Sequence, residues 1–243
     1  MGTRATATIG LRSRIEVAER TLAFHFEKPP GWTFKAGQYV DLTLIDPPET
    51  DSQGNRRAFS IASAPGEETL MIATRMRDTA FKRVLEAMPI GAAVKIEGPL
   101  GNLTLHNDAR RPAVLLAGGI GITPFRSILV GAATQRLAHR IVLLYSNRRP
   151  EDAPFLAELD ELQRKNPNYT LIATMSGMSK SRLPWQGERG PIDREKLTRC
   201  LSSLASPICY VAGPPAMVNG LLDALEECGV SGDDLRSEDF SGY

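Results

Sequence analysis

Two hydrophobic rhythms divide the chain. Through the first hundred residues, short apolar or alternating segments recur at close spacing. Residues 38–45 set Val40, Leu42 and Leu44 against Tyr39, Asp41 and Thr43, the period of two that half-buries a strand. Residues 8–18, 21–26, 58–62, 70–75 and 94–97 have the same short reach. Pro29-Pro30, Pro47-Pro48, Pro65-Gly66 and Gly98-Pro99 punctuate them as turns. Strands at this spacing predict an antiparallel barrel or sandwich. One segment breaks the rhythm. Residues 79–88 place Phe81, Val84, Leu85 and Met88 on one helical face, with Thr79 as the expected N-cap and Asp78 beside it.

After Arg110-Arg111-Pro112 the pattern changes. Residues 113–117 form a continuous apolar run, as expected of a strand covered on both faces, and residues 141–145, 171–174 and 208–212 follow it. Between them lie helical segments at 124–135, 153–164, 194–204 and 215–228, and a tail at 237–243. This alternation predicts a doubly wound parallel sheet. The expected fold class is therefore β plus α/β: an antiparallel barrel with one helix over residues 1–110, then a parallel α/β domain over residues 111–243.

Composition narrows the function. With 42% hydrophobic and 23% charged residues, a sizeable core is available and large-scale disorder is excluded. Residues 1–111 carry 15 Lys/Arg against 13 Asp/Glu and the remainder 14 against 15, so neither half has the basic excess of a nucleic-acid binder. The N-terminal stretch lacks the apolar run of a secretory signal. The apolar run 113–122 is short and broken by Gly118, Gly119 and Gly121, so no membrane span is expected and the protein is read as cytoplasmic. Cys200, Cys209 and Cys228 are too few for the four thiolates of an iron–sulfur cluster, and an odd set for a disulfide framework. His25, His106 and His139 are scattered, and no metal site is expected.

Candidate chemistry begins at Gly118-Gly119-Ile120-Gly121-Ile122-Thr123-Pro124, which joins a buried strand to a helix. Glycines permit a sharp turn and close approach to a ligand. Pro124 suits the first helical position and Thr123 the cap, leaving N–H groups and the helix dipole facing an incoming phosphate. Two readings stand on these residues alone: a pyrophosphate cradle, or a tight turn that binds nothing. The spacing is not G-x-G-x-x-G, which disfavours an ordinary dinucleotide dehydrogenase. Arg57-Ala58-Phe59-Ser60 is a second candidate. Arg57 offers a fork of donors to a phosphate, Phe59 on the same side covers a flat ring, and Ser60 supplies a hydroxyl. The competing reading is an edge strand with a solvated arginine and a core phenylalanine.

In this order the motifs resemble the ferredoxin–NADP reductase superfamily, a flavin-binding barrel followed by a nicotinamide-dinucleotide domain. The resemblance covers nearly the whole chain and is nearest to free-standing FAD-dependent members without a ferredoxin-like domain. Arg57-Ala58-Phe59-Ser60 matches R-x-[YF]-S, which implies FAD contacts from Arg57, Ala58, Phe59 and Ser60, with Ser60 at the flavin N5. Gly37-Gln38-Tyr39 matches a structural strand of the barrel, and the loop from Gly98 to Leu103 its closing turn. Arg75 and the helix start at Thr79 match the element that meets the FAD pyrophosphate, although Arg77-Asp78 stands where a glycine pair is usual. Gly118, Gly119, Gly121, Thr123 and Pro124 match G-G-T-G-I-T-P with Ile120 for threonine. Gly213, Pro214 and Pro215 match C-G-P-P with Ala212 in place of the cysteine near the nicotinamide. Glu238 matches the carboxylate at the hydride-transfer site, Phe240 the aromatic that covers the flavin, and Tyr243 is a second candidate for that stack.

The resemblance implies FAD as cofactor and NAD(P)H as hydride donor, with Ser60 and Glu238 as catalytic residues. Ser146, Arg148 and Arg149 follow the second strand of the α/β half and suit a ribose 2′-phosphate. No carboxylate directly follows that strand, which favours NADPH over NADH. Asp152, the nearest acid, is expected to pair with Arg148. The implied partner is a separate redox-protein acceptor, a ferredoxin or oxygenase component, with the chain a monomer. Two alternatives remain: reduction of small acceptors such as free flavin or ferric complexes, and a non-catalytic flavin-binding module suggested by Ala212 and Ile120.

Overall fold

The computed structural model describes residues 4–240. The first half is a six-stranded antiparallel sheet of β1 (Ala5–Ala18), β2 (Thr21–Glu27), β3 (Tyr39–Leu44), β4 (Arg56–Ser60), β5 (Thr69–Arg75) and β6 (Ala93–Leu100), with α1 (Ala80–Ala87) between β5 and β6. The strand order is β4-β3-β6-β1-β2-β5. The two ends of this order come together. Beyond β4, the Ala62 N–H donates to the Met71 carbonyl of β5 at 2.7 Å, and the Met71 N–H to the Ser63 hydroxyl at 2.9 Å. The sheet therefore curls into a barrel around Phe24, Phe26, Val40, Leu42, Ile72 and Phe81. Alternation in β3 is as the sequence implies, with Val40, Leu42 and Leu44 buried. The hydroxyl of Thr79 caps α1 by accepting from the Lys82 N–H, and Phe81 and Leu85 enter the barrel core.

The second half is a six-stranded, wholly parallel sheet. Its elements are β7 (Ala113–Gly118), α2 (Ile122–Thr134), β8 (Ile141–Asn147), α3 (Leu156–Lys165), β9 (Tyr169–Met175), β10 (Glu188–Arg189), α4 (Arg194–Leu201), β11 (Ile208–Gly213), α5 (Pro215–Glu227) and β12 (Leu235–Asp239). The order β10-β9-β8-β7-β11-β12 reverses direction between β7 and β11. That reversal opens a crevice beyond their carboxyl ends, where open α/β sheets bind ligands. Among the described residues no helix is long and apolar enough to cross a membrane.

Three local expectations are corrected. The tail begins with an edge strand, β12, in parallel register with β11, although its polar sequence gives no strand signal. A two-residue strand, β10, likewise escapes a periodicity argument. Helix α2 starts at Ile122 rather than Pro124, so Thr123 is an internal residue whose hydroxyl donates back to the Ile120 carbonyl at 3.1 Å instead of capping.

The two halves share one apolar cluster. Ala62, Met71 and Ala73 of the barrel belong to the same contiguous core as Ile122, Phe125 and Ile128 of α2. Fully burying a side chain such as Phe125 stabilises by about 1.5–3 kcal/mol, more than an exposed contact supplies. A polar clamp sits beside it. Arg126, 7% exposed, donates to the Ala62 carbonyl at 2.7 Å and to carboxylates of Glu67 in the barrel and Glu158 on α3. Ser127 donates to the Ser63 carbonyl at 2.7 Å. We expect Arg126→Met to lower unfolding free energy by about 2–3 kcal/mol, since both acids and a carbonyl lose their buried partner. Urea denaturation measures this; a change under about 0.5 kcal/mol, the scale of an exposed pair, would refute the clamp.

Candidate functional site

A cavity of about 450 Å³ opens where β4 and α1 of the barrel face the start of α2 and the end of β12. The first wall follows from strand alternation. Arg57 and Phe59, two residues apart on β4, both turn toward Phe81 of α1. The Arg57 guanidinium lies 5.1 Å above the Phe81 ring, and the Phe59 and Phe81 rings are 5.9 Å apart. Arg57 is held in place by the Gln53 and Gly54 carbonyls at 2.9 and 3.0 Å and by the Asp51 carboxylate at 3.2 Å. Ala58 also lines the cavity.

Ser60 closes the inner end. It is 4% exposed, and its hydroxyl has no hydrogen-bond partner among the described residues. A buried hydroxyl left without a partner costs about 1–3 kcal/mol. Such a group at the edge of a cavity points to a ligand atom as its missing partner. The residues around it fit a flat ring carrying an anionic tail. Phe59, Phe81 and Phe240 supply aromatic surface, while Arg57, Lys82 and the capped start of α1 at Thr79 supply positive potential.

Arg75 does not join them. β5 gives Ala73 and Thr74 to the cavity lining, and Arg75 is not part of it. The Arg75 guanidinium instead donates to the Asp152 carbonyl at 3.1 Å. The expected pairing of Arg75 with a flavin phosphate is thus replaced by a contact between the halves.

The opposite wall comes from the crevice of the parallel sheet. Gly118, Gly119 and Gly121 turn the chain from β7 into α2, and Gly213, Pro214 and Pro215 turn it from β11 into α5. The two turns are packed backbone on backbone: a Cβ on Gly121 would lie 2.2 Å from the Ala212 carbonyl oxygen. Gly119 adopts φ +55° with open space around it, so its requirement is conformational. Thr123 lines the cavity, and Pro124 sits in the first turn of α2, where its missing N–H breaks no bond.

The tail completes the site. The Phe240 N–H donates to the Gly213 carbonyl at 3.0 Å, which sets the Phe240 ring into the cavity. Glu238, two residues earlier, lies beside Ala212 in the β11–β12 register. Burial, with the Asp239 charge adding to it, raises the Glu238 carboxyl to about 7. Tyr243 lies outside the described residues.

A second groove, about 550 Å³, runs past the ends of β8 and β9 and is lined by Arg75, Arg148, Arg149, Asp152, Ser179 and Lys180, among others. Here the expected pairing is corrected. Asp152 grips Arg149, not Arg148, through two contacts of 2.8 Å, because Arg149 leads directly into the short turn that carries Asp152. Arg149 also reaches Glu19, in the turn after β1, at 3.3 Å. Arg148 lines the groove with Lys180 and takes part in none of the ion pairs among the described residues. Ser146 is half-buried at the end of β8 and does not line this groove.

Six cavity residues escaped the sequence reading: Gln53, Arg56, Ala73, Thr74, Phe81 and Lys82. Phe81 was legible only as core, because its helical spacing is that of a core stripe. Gln53, Arg56, Ala73 and Thr74 belong to no motif, and only the fold brings them to the cavity. Lys82, third in α1, carried a weak signal in its place just after the Thr79 cap.

Comparison with known proteins agrees with this architecture. Residues 115–223 match the oxidoreductase NAD-binding domain family. The chain is 30% identical over 207 residues to ferredoxin–NADP reductase B of Sorangium cellulosum, covering 82% of each protein. It is 26% identical over 211 residues to the terephthalate 1,2-dioxygenase reductase component 2 of Comamonas sp, covering 86% of this chain but only 60% of that relative. Among solved structures, a ferredoxin–NADP+ reductase from Neisseria gonorrhoeae superposes with a TM-score of 0.79 at 20% identity, over 96% of this chain and 98% of that one. A curled antiparallel barrel, a parallel sheet with its glycine turn at the switch point, and a close relative matched over four-fifths of its length all agree: the chain belongs to the ferredoxin–NADP reductase superfamily.

Proposed function

We propose that this chain is an NAD(P)H-dependent flavoprotein reductase that holds FAD in the cavity between β4, α1 and Phe240 and passes electrons to a separate redox protein. The observation that carries the reading is the Ser60 hydroxyl, buried and without a partner at the inner end of a cavity with aromatic walls and a cationic mouth. Bound FAD would supply the ability to accept a hydride from a nicotinamide and to release electrons singly. We assign residues 1–110 to the flavin half and 111–243 to the dinucleotide half.

The chain's own residues divide the work. Ser60 orients the ring by a hydrogen bond to its inner edge. Arg57 and the α1 start at Thr79 hold the anionic tail. Gly118, Gly119, Gly121, Thr123 and Pro124, with Gly213, Pro214 and Pro215, shape the crevice for the dinucleotide. Phe240, which lines the cavity, would cover the face of a bound ring. Glu238, beside the small Ala212, holds a proton near neutral pH at the crevice floor. Of the groove residues, Arg148 is the phosphate reader: Arg149 is locked to Asp152 and Ser146 lies off the groove. This arrangement supports NADPH. The Sorangium relative's name, a ferredoxin–NADP reductase, and the Comamonas relative's, a dioxygenase reductase component, support a protein electron acceptor.

The primary test is anaerobic mixing of the FAD-loaded protein with NADPH or NADH, read as loss of visible flavin absorbance. Retained FAD that bleaches within seconds supports the reading; a protein that retains no FAD sinks it. Turnover with small ferric or flavin acceptors, and none with a ferredoxin, would reassign the acceptor. Replacing Arg148 with alanine should raise the KM for NADPH about tenfold and leave that for NADH within about twofold, the loss of one charge-assisted contact. Equal effects on both nucleotides would remove Arg148 from the 2′-phosphate role.

Glu238 makes a pH prediction. Its folded pKa of about 7 exceeds its ordinary value of 4.5, so the native state binds more protons between the two. Stability from this group is full below pH 4.5 and is lost as pH rises through 7, by about 2–3 kcal/mol. Glu238→Gln, a mimic of the neutral carboxyl, should remove this loss. It should also flatten an inflection near pH 7 in the flavin reduction rate, holding the rate at its low-pH level. An unchanged inflection in the variant would place the titrating group elsewhere.

A further inference from the structure

A turn built as Gly118-Gly119-Ile120-Gly121 does not hold its own shape. Glycine visits positive and negative φ with little preference, so the peptide between Gly119 and Ile120 has several orientations open to it. Packing does not choose among them: a Cβ on Gly119 would meet nothing within 4 Å. One side chain does choose. The Tyr145 hydroxyl donates to the Gly119 carbonyl at 3.1 Å. Tyr145 stands on β8 in register with Ala117 of β7, and its phenol reaches the turn two residues beyond. The ring is fully buried in the core shared by the two halves, and the hydroxyl also lies 3.1 Å from the Pro154 carbonyl, just before α3. Its place is therefore set by the fold and not by the turn.

Peptide geometry carries this contact into the crevice. The only cis peptide among the described residues is Gly98–Pro99, so the Gly119–Ile120 peptide is trans. In a trans peptide the C=O and the N–H point in opposite directions. The Gly119 carbonyl is turned into the molecule, where it accepts from the Tyr145 hydroxyl and from the Ile122 N–H. The Ile120 N–H is thereby turned the other way, back from the helix start and toward the crevice. The 3₁₀ turn over Gly119–Gly121 runs straight into α2, and a helix leaves its first N–H groups without a partner inside it. The same peptide flipped over would present a carbonyl oxygen to the crevice, and a carbonyl oxygen repels a phosphate.

We propose that Tyr145 is a positioning residue for dinucleotide binding: its hydroxyl locks the Gly119–Ile120 peptide with the N–H toward the crevice, where the dinucleotide's pyrophosphate is received. This rests on the dinucleotide reading of the crevice given above. Tyr145 touches no ligand itself; it acts through the backbone of the turn. The pyrophosphate is common to NADPH and NADH, so the lock serves both alike, whereas Arg148 separates them. The flavin walls on β4 and α1 lie outside its reach, and FAD binding does not depend on it.

The test is Tyr145→Phe in the FAD-loaded full chain, a change that removes one hydroxyl and keeps the ring. Anaerobic flavin reduction should need about fivefold more NADPH, and about fivefold more NADH, to reach half its maximal rate, the worth of one net hydrogen bond, while the rate at saturation stays within about twofold. Inhibitors separate positioning from a general loosening of the fold. ADP, which carries the pyrophosphate, should bind about fivefold more weakly to the variant. Adenosine 2′-phosphate, which lacks it, should bind as it does to the wild type. A folded variant with wild-type dependence on both nucleotides, or an equal loss for ADP and adenosine 2′-phosphate, would overturn the assignment. Should Tyr145→Phe fail to fold, amide hydrogen exchange in the wild type decides. ADP should slow exchange at the Ile120 N–H, and an Ile120 N–H that exchanges at the same rate with and without ADP overturns the lock. A wild type that binds neither ADP nor NADPH would instead overturn the dinucleotide reading, a result visible without any variant.

Discussion

Arg126 is the point on which the two halves hinge their geometry. A guanidinium this deeply buried is tolerated only when each face of its fork meets an acceptor. Here the acceptors come from both sides: Ala62 and Glu67 from the barrel, Glu158 from α3. Because Arg126 is the fifth residue of α2, satisfying it fixes the start of that helix against the barrel. Thr123, three residues earlier, is thereby set into the cavity wall opposite Phe59 and Ser60. Phe125 shares a buried apolar cluster with Ala62, Met71 and Ala73 of the barrel, beside this clamp.

The second constraint is backbone crowding at the switch point. The glycine turn after β7 and the end of β11 approach so closely that a methyl group at Gly121 would overlap the Ala212 carbonyl. This explains the glycine without any ligand, and it also brings the two loops that border the crevice to one place. The Gly213 carbonyl then anchors the Phe240 N–H, so the tail's aromatic ring reaches a cavity built largely by the other half. The small side chain at Ala212 lies next to Glu238, whose burial keeps a proton at hand near neutrality. A site assembled this way needs both halves: one supplies the ring pocket and cations, the other the floor and the lid.

Much of this was legible beforehand for a specific reason. Periods of two and of 3.6 residues report which face of an element is buried, and they located the barrel strands, α1 and most of the α/β elements within a few residues. Edge elements were not legible. β12 pairs through its backbone on one side only, so its side chains Arg236, Ser237 and Asp239 carry no apolar pattern. The start of α2 shifted because the glycines tighten into a turn of 3₁₀ helix that leads directly into Ile122, leaving no place for a threonine cap.

For the candidate site, the sequence by itself determined the order of motifs and the kinds of group they carry: the arginine, aromatic and serine on β4, the glycine turn, the G-P-P loop and the acidic–aromatic tail. These are local, and local chemistry is written in consecutive residues. Tertiary structure alone decided which cations face the cavity. Arg75 looked suitable but reaches the Asp152 carbonyl of the other half, and Arg149 is held by Asp152, whereas Lys82, unremarked in the chain, is folded inward by the Arg75 carbonyl. The direction of a long charged side chain depends on carbonyls and carboxylates brought from distant segments, and no periodicity along the chain encodes that meeting.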